Sequence, residues 1–173
     1  MSKEMNLTKK LYQEFCIDEV KDLDFKKINK GPLVVELDPT AVCDLACPGC
    51  ISEDIIKIGN SFSNDRLMLL GEEFVESGVK AVILIGGGEP LAHPKIGHFM
   101  DLLGKNDIHI GITTNGTFID RHLSTISKYS SWTRISMDAA TTETFKILRP
   151  SKGEQSKFDK IVANMRELAK TKK

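Results

Sequence analysis

Four short apolar runs, separated by stretches of helical periodicity, constrain this chain more than any other feature. The runs are LVVEL (Leu33 to Leu37), AVILI (Ala81 to Ile85), IHIGIT (Ile108 to Thr113) and TRISM (Thr133 to Met137). Their β-branched content predicts strands. AVILI is apolar without alternation, which suits a strand covered on both faces of a parallel sheet. Between the runs, apolar residues recur at spacings of three and four. Leu67, Leu70 and Phe74 predict one helix, stopped by Gly78; Ile96, Phe99, Met100 and Leu103 predict another, closed by Gly104. Leu123 and Ile126 indicate a third. Phe158, Ile161, Val162, Met165 and Leu168 form the most regular stripe, and Leu7, Leu11, Tyr12 and Phe15 predict an N-terminal helical extension over residues 1–30. Strand and helix alternating in this way predict an α/β fold. Two closures fit: an open doubly wound sheet, or part of a (β/α) barrel.

In either closure, chemistry gathers at the C-terminal ends of the strands. There the sequence reads DPTAVCDLACPGC, GGGEP, TTNG and SMDAA, in strand order. Cys43, Cys47 and Cys50 give the spacing C-x3-C-x2-C. Lysine plus arginine and aspartate plus glutamate are both 24, so bulk charge points to neither nucleic acid nor an acidic membrane surface. No apolar run is long enough to cross a membrane, and MSKEMNLTKK lacks the apolar core of a signal peptide. A cytoplasmic location is expected, where clustered cysteines bind metal or do redox chemistry before they form disulfides. A closed zinc site wants four ligands, and so does a fully ligated four-iron cluster. Cys16 is remote, inside YQEFCID, and is expected to be a packed thiol. Three cysteines would leave one coordination position open; three structural thiols without metal are the plain alternative.

The other strand ends supply polar groups. Glycines such as Gly87 and Gly88 let a ligand approach the backbone, and Glu89 can accept from a cationic group such as an ammonium. A tight strand–helix turn would explain GGGEP equally well, and the spacing is neither a dinucleotide fingerprint nor a P-loop. Asn115 is either a binding residue or part of an Asn-Gly turn. Ser136 and Asp138 alternate with Ile135 and Met137, so that strand end has one polar face, suited to ribose hydroxyls. Capping of the next helix by Asp138 or Thr141 is the alternative. His93 is expected at a helix start or behind the site, Trp132 at the start of strand four, and Arg149 either at a carboxylate or in a surface salt bridge.

The cysteine triplet after strand one and the Gly-Gly-Glu-Pro motif after strand two resemble the radical S-adenosylmethionine (radical SAM) superfamily. TTNG and SMDAATTETFKILRP extend the resemblance, which runs from about Val35 to Lys170 and is nearest the peptide- and cofactor-maturing branches. It implies a partial (β/α) barrel with about four parallel βα units visible of the usual six, over residues 31–173. It implies that Cys43, Cys47 and Cys50 hold three irons of a [4Fe-4S] cluster and that S-adenosylmethionine chelates the fourth. Gly87, Gly88 and Glu89 would hold the methionine ammonium; Ser136 and Asp138, with Asn115, would lie near the ribose or carboxylate. An electron from a donor such as a flavodoxin or ferredoxin would generate a 5′-deoxyadenosyl radical, which takes hydrogen from a substrate the sequence does not identify. The cluster would work toward the low end of the range for such centres, about −700 to +450 mV. Where the family usually places an aromatic before the third cysteine, this chain has Gly49, so no residue is named for adenine. With four units in place of six, the chain reads as a fragment or short form, as needing a partner to complete the sheet edge, or as covering that edge with residues 1–30. A non-catalytic iron–sulfur or zinc module, for assembly or electron transfer, is the alternative function.

Overall fold

The strands pair in one all-parallel sheet: β1 (Val34–Leu37), β2 (Ala81–Leu84), β3 (His109–Thr114) and β4 (Ser130–Ile135), in the order β1-β2-β3-β4. The structure, a computed structural model, describes residues 31–153 and 155–172. The extension expected over residues 1–30 and Cys16 lie outside the described residues. Helices α1 (Glu53–Ile58) and α2 (Asn64–Glu76) connect β1 to β2. A 3₁₀ turn at Pro90–Ala92 and helix α3 (Ile96–Lys105) connect β2 to β3, and α4 (Ile119–Tyr129) connects β3 to β4. Helices α5 (Thr142–Leu148) and α6 (Phe158–Thr171) follow. Sequential parallel strands joined through helices are the repeating unit of a (β/α) barrel, here in partial form.

Register explains the core. Val82 lies beside Ile110, and Leu37, Leu84 and Ile112 share one row, so their side chains point to one face of the sheet. Against that face pack Leu67 and Phe74 of α2, Ile96, Phe99, Met100 and Leu103 of α3, and Ile119 and Ile126 of α4. Phe74 meets Phe99 edge-on, with ring centroids 6.4 Å apart. The opposite face is less covered: Val34 and Trp132 are exposed. A smaller core of Leu45, Phe145 and Ile161, joined by Phe158, lies beneath the cysteine loop. Among the described residues no helix is long and apolar enough to cross a membrane.

Two local expectations need correcting, and the choice of helix cap between Asp138 and Thr141 is decided for Thr141. The fourth strand covers Ser130–Ile135, not Thr133–Met137. Its polar start, Ser130 and Ser131, hid it, and a register shift at Ile110/Gly111 seats Trp132 beside Gly111, where a Cβ would lie 2.3 Å from the indole. Gly104 does not close its helix, which runs to Lys105; a Cβ there would lie 2.2 Å from the Tyr129 ring, so this glycine serves close helix–helix packing. Asp138 does not cap the helix after β4. Thr141 does, its hydroxyl accepting from the Thr144 N–H at 3.3 Å.

Candidate functional site

The C-terminal ends of all the strands open onto one cleft of about 340 Å³, within the range of about 300–1,000 Å³ usual for small-molecule sites. Cys43, Cys47, Cys50, Gly87, Gly88, Glu89, Asn115, Ser136 and Asp138 all line it. Residues up to 95 positions apart in the chain, from Cys43 to Asp138, therefore meet because a parallel sheet puts every strand end on one rim.

The cysteine loop is fixed by residues other than its cysteines. Leu45 is buried against Phe145 and Ile161. It forms an antiparallel bridge with Ser151, flanked by the Ala46 N–H to Pro150 carbonyl (2.7 Å) and the Lys152 N–H to Asp44 carbonyl (2.9 Å). The Asp44 carboxylate accepts from Asn115 Nδ2 (2.9 Å) and the Thr117 hydroxyl (3.1 Å). Cys47 to Cys50 is a tight turn, with the Cys50 N–H donating to the Cys47 carbonyl at 3.2 Å and Gly49 at φ 70°. Proline then glycine with positive φ is the pattern of a type II turn. A side chain at position 49 would sit in the left-handed region, which glycine occupies without strain.

GGGEP passes close over the start of this loop. A Cβ on Gly88 would lie 2.5 Å from the Val42 carbonyl oxygen, and the Glu89 N–H donates to that same oxygen at 2.8 Å. Only glycine permits this approach. Glu89 is 1% exposed. Its Oε1 accepts from the Leu91 N–H (3.0 Å) and the Thr114 hydroxyl (2.6 Å), and its Oε2 from the Asn115 N–H (2.7 Å). Burial nonetheless pushes its pKa up to about 7, with those hydrogen bonds opposing and Asp44 adding to the rise. The carboxylate thus ties the ends of β2 and β3 together while Oε2 keeps a lone pair for a ligand.

Asn115 borders the cleft, but its side chain is engaged: besides Asp44, its Oδ1 accepts from the Thr117 N–H at 2.9 Å. Ser136 leaves the sheet one residue past β4, its N–H donating to the Thr114 carbonyl at 2.8 Å. Asp138 binds Arg149, whose Nε donates to Oδ2 at 2.7 Å. His93 lies behind the site as a staple, with Nδ1 accepting from the Lys95 N–H at 3.2 Å and Nε2 donating to the Phe62 carbonyl at 2.9 Å. Asp44, Thr114 and Thr117 shape the site and were not singled out from the sequence. Their partners lie far away in the chain, and only the polarity of DL and TTNGT hinted at them.

The donor set, three thiols on one cleft, is chemically suited to an iron–sulfur cluster. Cys43, Cys47 and Cys50 are all free thiols, partly exposed on one cleft. Burial raises the Cys43 and Cys47 pKa values, and for Cys47 the Arg149 cation opposes the rise. Among the described residues, no three His, Cys, Asp or Glu side chains converge where one metal ion could sit. In an iron–sulfur cubane each thiolate takes its own iron, so the sulfurs need not converge.

A family model described as the Radical SAM superfamily matches residues 37–173. The chain belongs to that superfamily, whose members work with a [4Fe-4S] cluster and S-adenosylmethionine. It is 26% identical over 151 residues to molybdenum cofactor biosynthesis protein 1 of Dictyostelium discoideum, covering 84% of this chain and 24% of that protein. It is 25% identical over 147 residues to the mycofactocin maturase MftC of Mycobacterium tuberculosis, covering 84% of this chain and 36% of the relative. Its fold matches that of Streptococcus suis SuiB bound to the precursor peptide SuiA, with a TM-score of 0.67 at 20% identity, covering 86% of this chain and 33% of SuiB. The chain therefore spans between about a quarter and just over a third of these three proteins.

Proposed function

We propose that this chain carries the cluster- and S-adenosylmethionine-binding part of a radical SAM active site. The observation that carries the reading is the single cleft shared by the cysteine triplet, GGGEP and the residues after β3 and β4. A cluster bound here would supply one electron for cleavage of the sulfonium of S-adenosylmethionine into methionine and a 5′-deoxyadenosyl radical, which would take a hydrogen atom from a substrate to give 5′-deoxyadenosine. Cys43, Cys47 and Cys50 would hold three irons of the cluster, and among the described residues no fourth cysteine lines the cleft to hold the last. Gly87 and Gly88 line the cleft, and Oε2 of Glu89 would accept from the methionine ammonium. Ser136, Asp138 and Asn115 border the same cleft, near where the ribose or the carboxylate would lie; Asn115 and Asp138 already have protein partners, so Ser136 is the freest of the three to meet the cofactor. Anchoring of the loop by Leu45 and Asp44 holds the thiols in place before iron arrives, which reduces what binding must order. A solved structure of SuiB, 19% identical, has S-adenosylmethionine bound, which supports the same cofactor here.

The test is anaerobic reconstitution of the chain with iron and sulfide, followed by dithionite and S-adenosylmethionine. The reading expects 5′-deoxyadenosine and methionine by chromatography. A cluster that forms and yields neither would mark the chain as a passive iron–sulfur module.

A further inference from the structure

Arg149 sits at the C-terminal end of α5, where its N–H still bonds the Phe145 carbonyl at 2.7 Å and Pro150 ends the helix. The Pro150 carbonyl in turn accepts from Ala46 in the cysteine loop, so one turn fixes both the arginine and the loop. Asp138 holds the guanidinium from one side, through Nε at 2.7 Å and through Nη2. That leaves Nη1, which points at Cys47 Sγ at 3.9 Å. The arginine side chain is 15% exposed and the aspartate 61%, so the cation is turned inward and its partner outward. Across the loop, Asn115 Nδ2 is held by Asp44 and lies 3.8 Å from Cys43 Sγ. Two of the cysteines therefore face an N–H donor that an aspartate orients.

We infer that Arg149, aimed by Asp138, is a positioning residue that sets the reduction potential of the cluster through an N–H···S bond to Cys47. The inference rests on the cysteines holding a cluster. Reduction adds one negative charge to the cluster and its thiolates. A cationic donor on one of those sulfurs stabilises the reduced form more than the oxidised form, and hydrogen bonds to sulfur and local charge are the protein's means of setting such potentials. Without the guanidinium, the Asp138 carboxylate also stands unopposed beside Cys47. Both effects move the potential in the negative direction.

The experiment compares the reconstituted wild-type chain with Arg149→Gln by iron and sulfide analysis and by a redox titration followed in the visible spectrum, without S-adenosylmethionine. The expected result is unchanged iron and sulfide content and a more negative midpoint. At the potential where wild type is half reduced, the variant's reduced-to-oxidised ratio falls about tenfold, equivalent to about 59 mV for a one-electron couple. An unchanged midpoint with a full cluster overturns the inference and leaves the cluster assignment intact. If Arg149→Gln loses iron, Arg149→Lys is read instead. A full cluster with a midpoint below wild type supports the inference, because the charge remains and the aimed donor is gone. A lysine variant that holds a full cluster at the wild-type midpoint, or that also loses iron, overturns it. Wild-type protein that takes up no iron overturns this inference and the reading beneath it together.

Discussion

Gly88 and Glu89 show how much one residue decides here. Adding a methyl at Gly88 drives it into the Val42 carbonyl, one residue before the first cysteine. Gly88→Ala should cost about 1–3 kcal/mol, the usual penalty of overpacking, measurable by urea unfolding, and should lower iron uptake. Glu89 is a carboxyl whose pKa rises on folding, from the ordinary glutamate value of 4.5 to about 7. Below pH 4.5 both folded and unfolded chains hold the proton. Between that point and about pH 7 the unfolded chain releases it first, so stability falls as pH rises, by up to about 1.4 kcal/mol per pH unit. Glu89→Gln should remove that slope from unfolding curves of the apoprotein; an unaltered slope would mean another group carries it. Ionised Glu89 is also the form that accepts an ammonium, so S-adenosylmethionine should bind the cluster-loaded protein more tightly at pH 8 than at pH 6, as read by calorimetry. Cys47→Ala should abolish the cluster, and Cys16→Ala should leave its iron content and visible spectrum unchanged.

The cysteine loop is the element on which the site depends, and its support comes from after β3, through Asp44, and from after β4, through Leu45. Leu45 is 2% exposed beneath the loop, packed on Phe145 and Ile161. Leu45→Ala should cost about 2–5 kcal/mol in the apoprotein and slow cluster uptake, although it removes no ligand. Loss of stability without slower uptake would show that the loop reorganises freely around iron. Elements with an apolar stripe were legible in the sequence: Ile96, Phe99, Met100 and Leu103 of α3 are all buried as their spacing indicates. Helix α1 was not, because it buries none of its residues and leaves Ile55 and Ile58 exposed. The cysteine spacing and GGGEP could be read locally, since each motif is contiguous. The Arg149–Asp138 pair and the tie between Asp44 and Asn115 could not. Asp44 and Asn115 meet only because the sheet brings the ends of β1 and β3 to one rim, and the sequence leaves Arg149 between a carboxylate and a surface salt bridge without naming Asp138 as its partner.

At the scale of the molecule, the sheet has two outer strands. Among the described residues β1 pairs only with β2 and β4 only with β3, and Val34 and Trp132 are exposed. Unpaired strand edges template association, so the chain should self-associate as its concentration rises in analytical ultracentrifugation. A monomer at every concentration would show that the edges are covered. The partial barrel nevertheless brings every candidate residue to one cleft, and the central claim is that this cleft offers one iron to a cofactor. Electron paramagnetic resonance of the reduced, reconstituted chain tests it directly. A [4Fe-4S] signal that changes shape when S-adenosylmethionine is added is expected, because the cofactor binds iron. A signal that S-adenosylmethionine leaves unaltered, or no four-iron cluster at all, would contradict it.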